Sequence, residues 1–270
     1  QSLLPNMNSE ITFVDEVVAL FEQSNFKQQF NPLHETYAQF KNEFQSALSV
    51  KNNHMDTYIL ELKKFSYKQT RKLDKYYNLS LLLPKNLQDF DLDNFSMTTE
   101  KLKRKIKKMK DSIKTCLNYQ KVLETEQSQF DQYKGAMQNI KTAENLIVLY
   151  KLYQEVYKQV TQIPFEQVNF DLYESKSEKL KEEIEKMNSA KKNPAVFTEI
   201  SNSFNSFSPF SEELLLLYNG KMQERHWDRL FDECCKKGKY NNKITIHDLI
   251  EYNIVGNIGR IKKITEISLN

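Results

Sequence analysis

Apolar residues recur along this chain mostly at intervals of three and four, the spacing that lines one face of an α-helix. Residues 11–30 carry Ile11, Val14, Val17, Val18 and Phe21 on such a face. Asn31-Pro32 is expected to end that helix, because the residue before proline is pushed out of the α region. From Leu33 the pattern resumes with Tyr37, Phe40, Phe44, Ala47 and Leu48, and a stop is predicted near Lys51-Asn52-Asn53. Met55, Ile59, Leu62, Phe65, Leu73 and Tyr76 or Tyr77 predict a third helix. An apolar run from Leu79 closes at Pro84, and the aspartate-rich residues 85–96 predict a loop.

The middle of the chain has the clearest period. Leu102, Ile106, Met109, Ile113, Cys116, Leu123, Phe130 and Met137 follow heptad spacing, with Gln120 and Gln127 at the seam positions between them. The seam continues less strictly through Ile140, Ile147, Tyr150 and Tyr157 until Pro164. Helical throughout, residues 99–162 would reach on the order of 100 Å. Gly135 is the one bend expected, since glycine costs about 1 kcal/mol relative to alanine inside a helix. The seam glutamines fit a pair of packed helices in a bundle as well as a coiled coil.

The last third has more turns. Residues 172–187 predict a charged amphipathic helix with Leu180 and Ile184 on one face. Residues 196–210 carry Val196, Phe197, Ile200, Phe204 and Phe207 at helical spacing. Ser211-Glu212-Glu213 resembles a helix start, an N-cap oxygen followed by acidic first-turn residues. Gly220 interrupts, and a helix with Met222, Trp227, Leu230 and Phe231 follows, up to Lys236-Lys237-Gly238. Residues 244–250, then Ile258, Ile261 and Ile264, predict two short closing helices. The expected fold is all-α: elongated helical bundles with long helices and no substantial sheet.

Composition agrees and removes several functions. Of 270 residues only five are glycine and six proline, so long uninterrupted elements are favoured. All five glycines lie after residue 134, and neither a P-loop nor a dinucleotide fingerprint occurs, so the segment is expected to be non-enzymatic and to hold no cofactor. The longest apolar run, residues 214–218, falls far short of the ~20 residues that span a bilayer, which predicts a soluble chain. Gln1 stands where an initiator Met would, which suggests a piece of a longer protein. Net charge is +3, from 39 basic and 36 acidic side chains, too balanced to argue nucleic acid from the total. Three cysteines, Cys116 and the adjacent Cys234 and Cys235, make a poor disulfide framework and point to a reducing compartment.

Three clusters carry candidate chemistry. Asp89, Asp91, Asp93 and Glu100 fall at positions 1, 3, 5 and 12 of an EF-hand-like loop, but Asn94 replaces the glycine of the turn, so an acidic loop capping the next helix is the better expectation. His226, Cys234, Cys235 and His247 are metal-competent, yet their spacing does not suit zinc, whose paired ligands sit two to five residues apart. Lys101, Lys103, Arg104, Lys105, Lys107, Lys108 and Lys110 place seven cations in ten residues around the apolar stripe Leu102, Ile106 and Met109. That is either a solvated helix face or a contact for an acidic protein surface, an anionic membrane or RNA. A lysine-dominated run with one arginine and no interleaved aromatics is weak evidence for nucleic acid.

Three stretches resemble one family. Ala143-Glu144-Asn145-Leu146 followed by Leu149-Tyr150-Lys151-Leu152-Tyr153 is similar to the opening of the linker in dynein heavy chains. Residues 214–217, then Met222-Gln223-Glu224-Arg225-His226-Trp227 with Leu230, resemble that family's apolar helix and its Arg-His-Trp signature. Ile244-Thr245-Ile246-His247-Asp248-Leu249-Ile250, then Asn253-Ile254 and residues 261–267, resemble the segment that follows.

The resemblance implies that residues 119–270 are the N-terminal part of a dynein-type linker and residues 1–118 a helical tail bundle region. It implies a mechanical, non-catalytic role, passing force from an ATPase ring outside this chain for microtubule-based movement. The Arg-His-Trp-Asp-Arg-Leu context is closer to axonemal than to cytoplasmic members and implies the cytoskeleton of a cilium, with the cytoplasm as the alternative. Partners implied are other dynein chains (heavy, intermediate and light) and docking proteins, with the microtubule reached through the parent complex and neither nucleic acid nor membrane bound. Arg225, His226 and Trp227 are expected to form a structural knot, with Trp227 buried between helices and Arg225 paired to Asp228, Glu224 or another carboxylate. Pro164, Pro194, Pro209 and Gly220 mark expected joints. The alternative is a freestanding helical scaffold whose seam binds partner helices.

Overall fold

The computed structural model of the chain describes residues 3–22, 27–189, 193–234 and 239–269. They form ten α-helices: α1 (Leu3–Glu22), α2 (Lys27–Ser80), α3 (Leu92–Val122), α4 (Asp131–Thr161), α5 (Phe170–Asn188), α6 (Ala195–Phe207), α7 (Ser211–Asn219), α8 (Glu224–Cys234), α9 (Ile246–Glu251) and α10 (Ile258–Leu269). No strand occurs among the described residues; one isolated antiparallel bridge joins Pro164 to Thr245. The all-α expectation holds. No helix among the described residues is long and apolar enough to cross a membrane.

The predicted stops at Asn31-Pro32 and Lys51-Asn52-Asn53 do not occur, and α2 runs through both. Pro32 is its sixth residue, so the backbone bond it removes lies near the helix start. Asn52 and Asn53 cost only tenths of a kcal/mol each. The Thr57 hydroxyl donates to the Asn53 carbonyl at 2.9 Å within the unbroken helix. Gly238 and Cys235 lie outside the described residues.

The chain divides into two compact units. The first comprises Gln1–Gln69 and Ser112–Ser128. In it the Tyr37 hydroxyl donates to the Ile11 carbonyl at 2.9 Å, and Lys41 pairs with Asp15. The Lys41 ammonium holds the Asp15 carboxyl below its usual range. Cys116 is fully buried, as expected of a thiol serving as a small hydrophobe, and burial pushes its pKa up.

The single helix predicted over residues 99–162 is instead two, α3 and α4, separated by residues 123–130. Leu123 ends the turn, Glu124 adopts φ 52°, and two bonds close a Schellman motif: Glu124 N–H to the Lys121 carbonyl at 3.3 Å and Thr125 N–H to the Gln120 carbonyl at 2.9 Å. The seam glutamine Gln120 fixes this reversal. It is buried, donates from Nε2 to Ser128 Oγ at 2.7 Å, and accepts the Ser128 N–H at 3.0 Å. Gln127, the other seam glutamine, is exposed in the connection. A left-handed residue other than glycine costs about 1–2 kcal/mol. Glu124→Gly is therefore expected to raise stability by up to about 1 kcal/mol, read as a higher urea midpoint at unchanged slope; a lower midpoint would contradict the assignment.

The second unit comprises Thr70–Asp111 and Gln129–Asn270. A small core joins Leu102 and Ile106 of α3 to Ala136 and Ile140 of α4, with Tyr76 and Tyr77 packed against it. Gly135 is not a bend. It lies inside α4, where an added Cβ would meet Tyr77 Cε2 at 2.8 Å, so the glycine is there for close approach. The larger core runs from Phe90 through α4–α10. Its spine is the buried stripe of α4, Leu146, Leu149, Tyr150, Tyr153, Val156 and Val160. This shifts the expected seam: Ile147 is only half-buried, and Tyr157 is 41% exposed. Helix α4 packs against α5, α6 and α9, and α10 packs against α7 and α8.

Ser211 is not an N-cap. Phe210 holds that position, and the Ser211 hydroxyl donates to the Ser208 carbonyl at 2.9 Å, because the 3-10 turn Ser208–Phe210 leads directly into α7. Glu212 and Glu213 do occupy the first turn.

Candidate functional site

The Arg225-His226-Trp227 signature opens α8. Gln223 precedes the helix, and its carbonyl accepts from the backbone of His226 at 2.8 Å and of Trp227 at 3.1 Å. The His226 ring is buried and turns back: Nδ1 lies 3.3 Å from the Gln223 N–H, and Nε2 lies 3.2 Å from Arg225 Nε. A neutral imidazole has one bare nitrogen, so it accepts from one of these donors at a time. With Nδ1 bare the imidazole closes the start of the helix, the position a capping-box side chain takes; with Nε2 bare it accepts from Arg225 instead. Arg225 is exposed, and the contact shown for its Nε is His226, not Asp228 or Glu224.

Trp227 is 2% exposed and lies at the centre of an aromatic cluster. Its ring stacks on Tyr240 with centroids 5.1 Å apart and 5° between planes, and meets Phe165 edge-on at 5.7 Å. Phe165 continues edge-on to Phe170, which stacks on Tyr218 at 4.3 Å. The Tyr240 hydroxyl donates to Glu166. The chain leaving α4 is thus pinned. Pro164 bridges to Thr245, Phe165 N–H donates to the Ile244 carbonyl at 2.7 Å, and Phe165 inserts beside Trp227.

The third resembling stretch is the start and stop of α9. Thr245 and Asp248 form a reciprocal capping box: Asp248 N–H donates to Thr245 Oγ1 at 3.2 Å, and Thr245 N–H to Asp248 Oδ2 at 2.8 Å. After the helix Asn253 takes φ 55°, and Ile254 N–H reaches the Leu249 carbonyl at 2.9 Å, with Leu249 and Ile254 both fully buried. Asparagine tolerates the left-handed region, and the apolar pair closes the Schellman motif. Asp248→Ala removes half of the box and is expected to cost about 1 kcal/mol, visible as a lower melting temperature; an unchanged value would contradict the cap.

Gly220, expected as a joint, is a close contact. A Cβ there would lie 2.7 Å from Thr265 Cγ2 of α10, and the left-handed residue after α7 is Lys221, at φ 46°.

The other candidate clusters resolve differently. Asp91 Oδ1 accepts the Asn94 N–H at 3.0 Å, so the acidic loop caps α3 as expected, while Asp93 and Glu100 lie within that helix. Asp89 exchanges hydrogen bonds with Asn86. Of the proposed metal set, His226 is engaged at the helix start, Cys234 is half-buried, and Cys235 lies outside the described residues. His247 instead groups with Asp248 and Glu251 on one exposed turn, where Asp248 already serves the cap. In the basic cluster Lys103 pairs with Glu144, Arg104 lies 3.4 Å from Glu100, and Lys105 sits 6.0 Å above the Tyr76 ring. Lys101, Lys107, Lys108 and Lys110 are exposed.

Residues 134–269 match the family described as dynein heavy chain, N-terminal region 2. The chain belongs to this family. Among curated proteins, none matches it. The dynein heavy chain match begins inside α4 and ends with α10, so it covers the α4 spine, the Trp227 cluster and the α9 caps. It is an N-terminal region of the heavy chain and not the ATPase domain. Within it the dynein signature residues act as helix starts, helix stops and an aromatic pin.

Two groups here were missed in the sequence. Tyr240 and Phe165 lie far from Trp227 along the chain, and no local pattern links them. Tyr173 is 3% exposed, and burial pushes its phenol from 10.0 up to about 12; burial, then the Glu166 carboxylate, also raises Tyr240. A phenol whose ionised form is penalised by burial leaves stability unchanged below pH 10 and lowers it progressively as the pH rises from 10 through about 12, because the folded state holds the proton that the unfolded state releases. Tyr173→Phe is therefore expected to flatten the stability loss over that alkaline window, measured by urea midpoints at stepped pH; an unchanged slope would contradict it.

Proposed function

We propose that residues 119–270 are the N-terminal part of a dynein linker and residues 1–118 the helical tail region before it. The segment is non-catalytic and passes force from an ATPase ring outside this chain to the tail, for movement along microtubules. The observation that carries this is the dynein heavy chain match over residues 134–269, which runs from α4 to α10. The physical reading supports it. A lever must resist bending, and the turn at Pro164 is pinned by a bridge, a backbone hydrogen bond and a buried aromatic ring.

Partners in this proposal are the other heavy, intermediate and light chains and docking proteins, with the microtubule engaged through the parent complex. The setting is the cytoskeleton, and the Arg-His-Trp-Asp-Arg-Leu context favours an axoneme. The exposed cations Lys101, Lys107, Lys108 and Lys110 are the proposed interaction face, together with Lys103, Arg104 and Lys105. No cofactor is proposed for this segment. The coding sequence tests the proposal: ATPase modules encoded after Asn270 are expected, and a reading frame that closes there without them would overturn the motor role.

A further inference from the structure

A cleft of about 600 Å³ lies between α5 and α6, with α7 contributing Ser211 and Leu215. Its apolar lining includes Phe170, Ile184 and Phe204, all buried. Among these sit two hydroxyls one helical turn apart, Tyr173 and Ser177, and neither completes a hydrogen bond of acceptable geometry. A buried hydroxyl without a partner is a cost the fold bears for no structural return.

The charge around the cleft has one dominant sign. Among the described lining residues, Glu174, Glu178 and Glu185 face a single cation, Lys181. Among the described residues none of those three carboxylates is held in an ion pair. The neighbouring α5 lysines are turned to other acids: Lys176 to Glu155 at 2.7 Å and Lys186 to Glu183 at 2.7 Å. The lining on α5 extends from Phe170 to Asn188, roughly 27 Å of helix at ~1.5 Å per residue. That length suits a helix of about 18 residues better than a small molecule.

We propose that this cleft is a docking groove for a basic amphipathic helix of a partner protein. Apolar side chains of the partner enter between α5 and α6, and lysines or arginines on its flank pair with Glu174, Glu178 and Glu185; the Tyr173 and Ser177 hydroxyls, sealed from solvent in the free chain, gain a donor as the docked helix parts the wall of the cleft. This inference does not depend on the motor role.

The test is a displayed library of 18-residue amphipathic helices, randomised in apolar anchors and with Lys, Arg, Glu or Gln allowed on the flank, selected against the full 270-residue chain. Selected helices are expected to be rich in Lys and Arg, and to lose about tenfold or more in affinity to Glu174→Lys/Glu178→Lys. Tyr173→Phe is expected to weaken the same helices while raising the melting temperature of the free protein by roughly 2–4 °C. The pairing of a more stable chain with weaker binding separates a ligand-seeking hydroxyl from a structural one. Failure to select any helix, selection without basic bias, or binders indifferent to both variants would overturn the proposal.

Discussion

Trp227→Ala is expected to lower the unfolding free energy of the second unit by about 3–5 kcal/mol, the largest single loss expected among the described residues. The indole is 2% exposed and touches groups from three places in sequence: Phe165 after α4, Tyr240 after α8, and the body of α8 itself. Truncation leaves a cavity that these rings cannot jointly fill, since Phe165 is tethered by its hydrogen bond to Ile244 and Tyr240 by its contact with Glu166. Each aromatic pair adds about 0.5–1.5 kcal/mol beyond burial, so a Trp227/Tyr240 double-mutant cycle should show coupling of that size. A loss under about 1 kcal/mol in urea unfolding would mean that the ring is not the pin of this joint.

Leu149→Ala comes next, at about 2–5 kcal/mol. Leu149 is fully buried at the centre of the α4 stripe, in the core shared with α5, α6 and α9. Its neighbour Val148 is 49% exposed, so Val148→Ala on the same helix is expected to change stability by less than about 0.5 kcal/mol. The contrast between adjacent positions checks the register of α4. Equal effects would place the stripe wrongly, as the heptad seam through Ile147 and Tyr157 does.

Helices α5, α6, α9 and α10 were legible in sequence because strong three-and-four periodicity meets local boundary signals, such as Asn169, whose side chain accepts the Leu172 N–H, and Pro194. The α3–α4 break was not. Spacing at three and four survives a short interruption unchanged, and the left-handed turn falls on Glu124 where glycine would have signalled it. The false stop at Asn52-Asn53 has the opposite cause, since a mild propensity penalty does not end a helix that packs on either side. Burial of Trp227 was legible from its place on an apolar face. Its partners were not, because stacking on Tyr240 and the edge contact with Phe165 are tertiary. The Thr245-Asp248 box, by contrast, is a local pattern readable in the sequence itself. The orphaned hydroxyls Tyr173 and Ser177 carry no sequence signal, for only packing makes them buried and unpaired.

Force transmission is tested most directly on the parent heavy chain carrying Trp227→Ala, with microtubule gliding velocity and ATP turnover measured in the same preparation. Loosening the joint at Pro164 and Phe165 is expected to leave ATP turnover in place while gliding slows severalfold, with Trp227→Phe falling between. Gliding at the wild-type velocity, in a chain whose melting temperature Trp227→Ala has lowered, would contradict a force-bearing role for this segment.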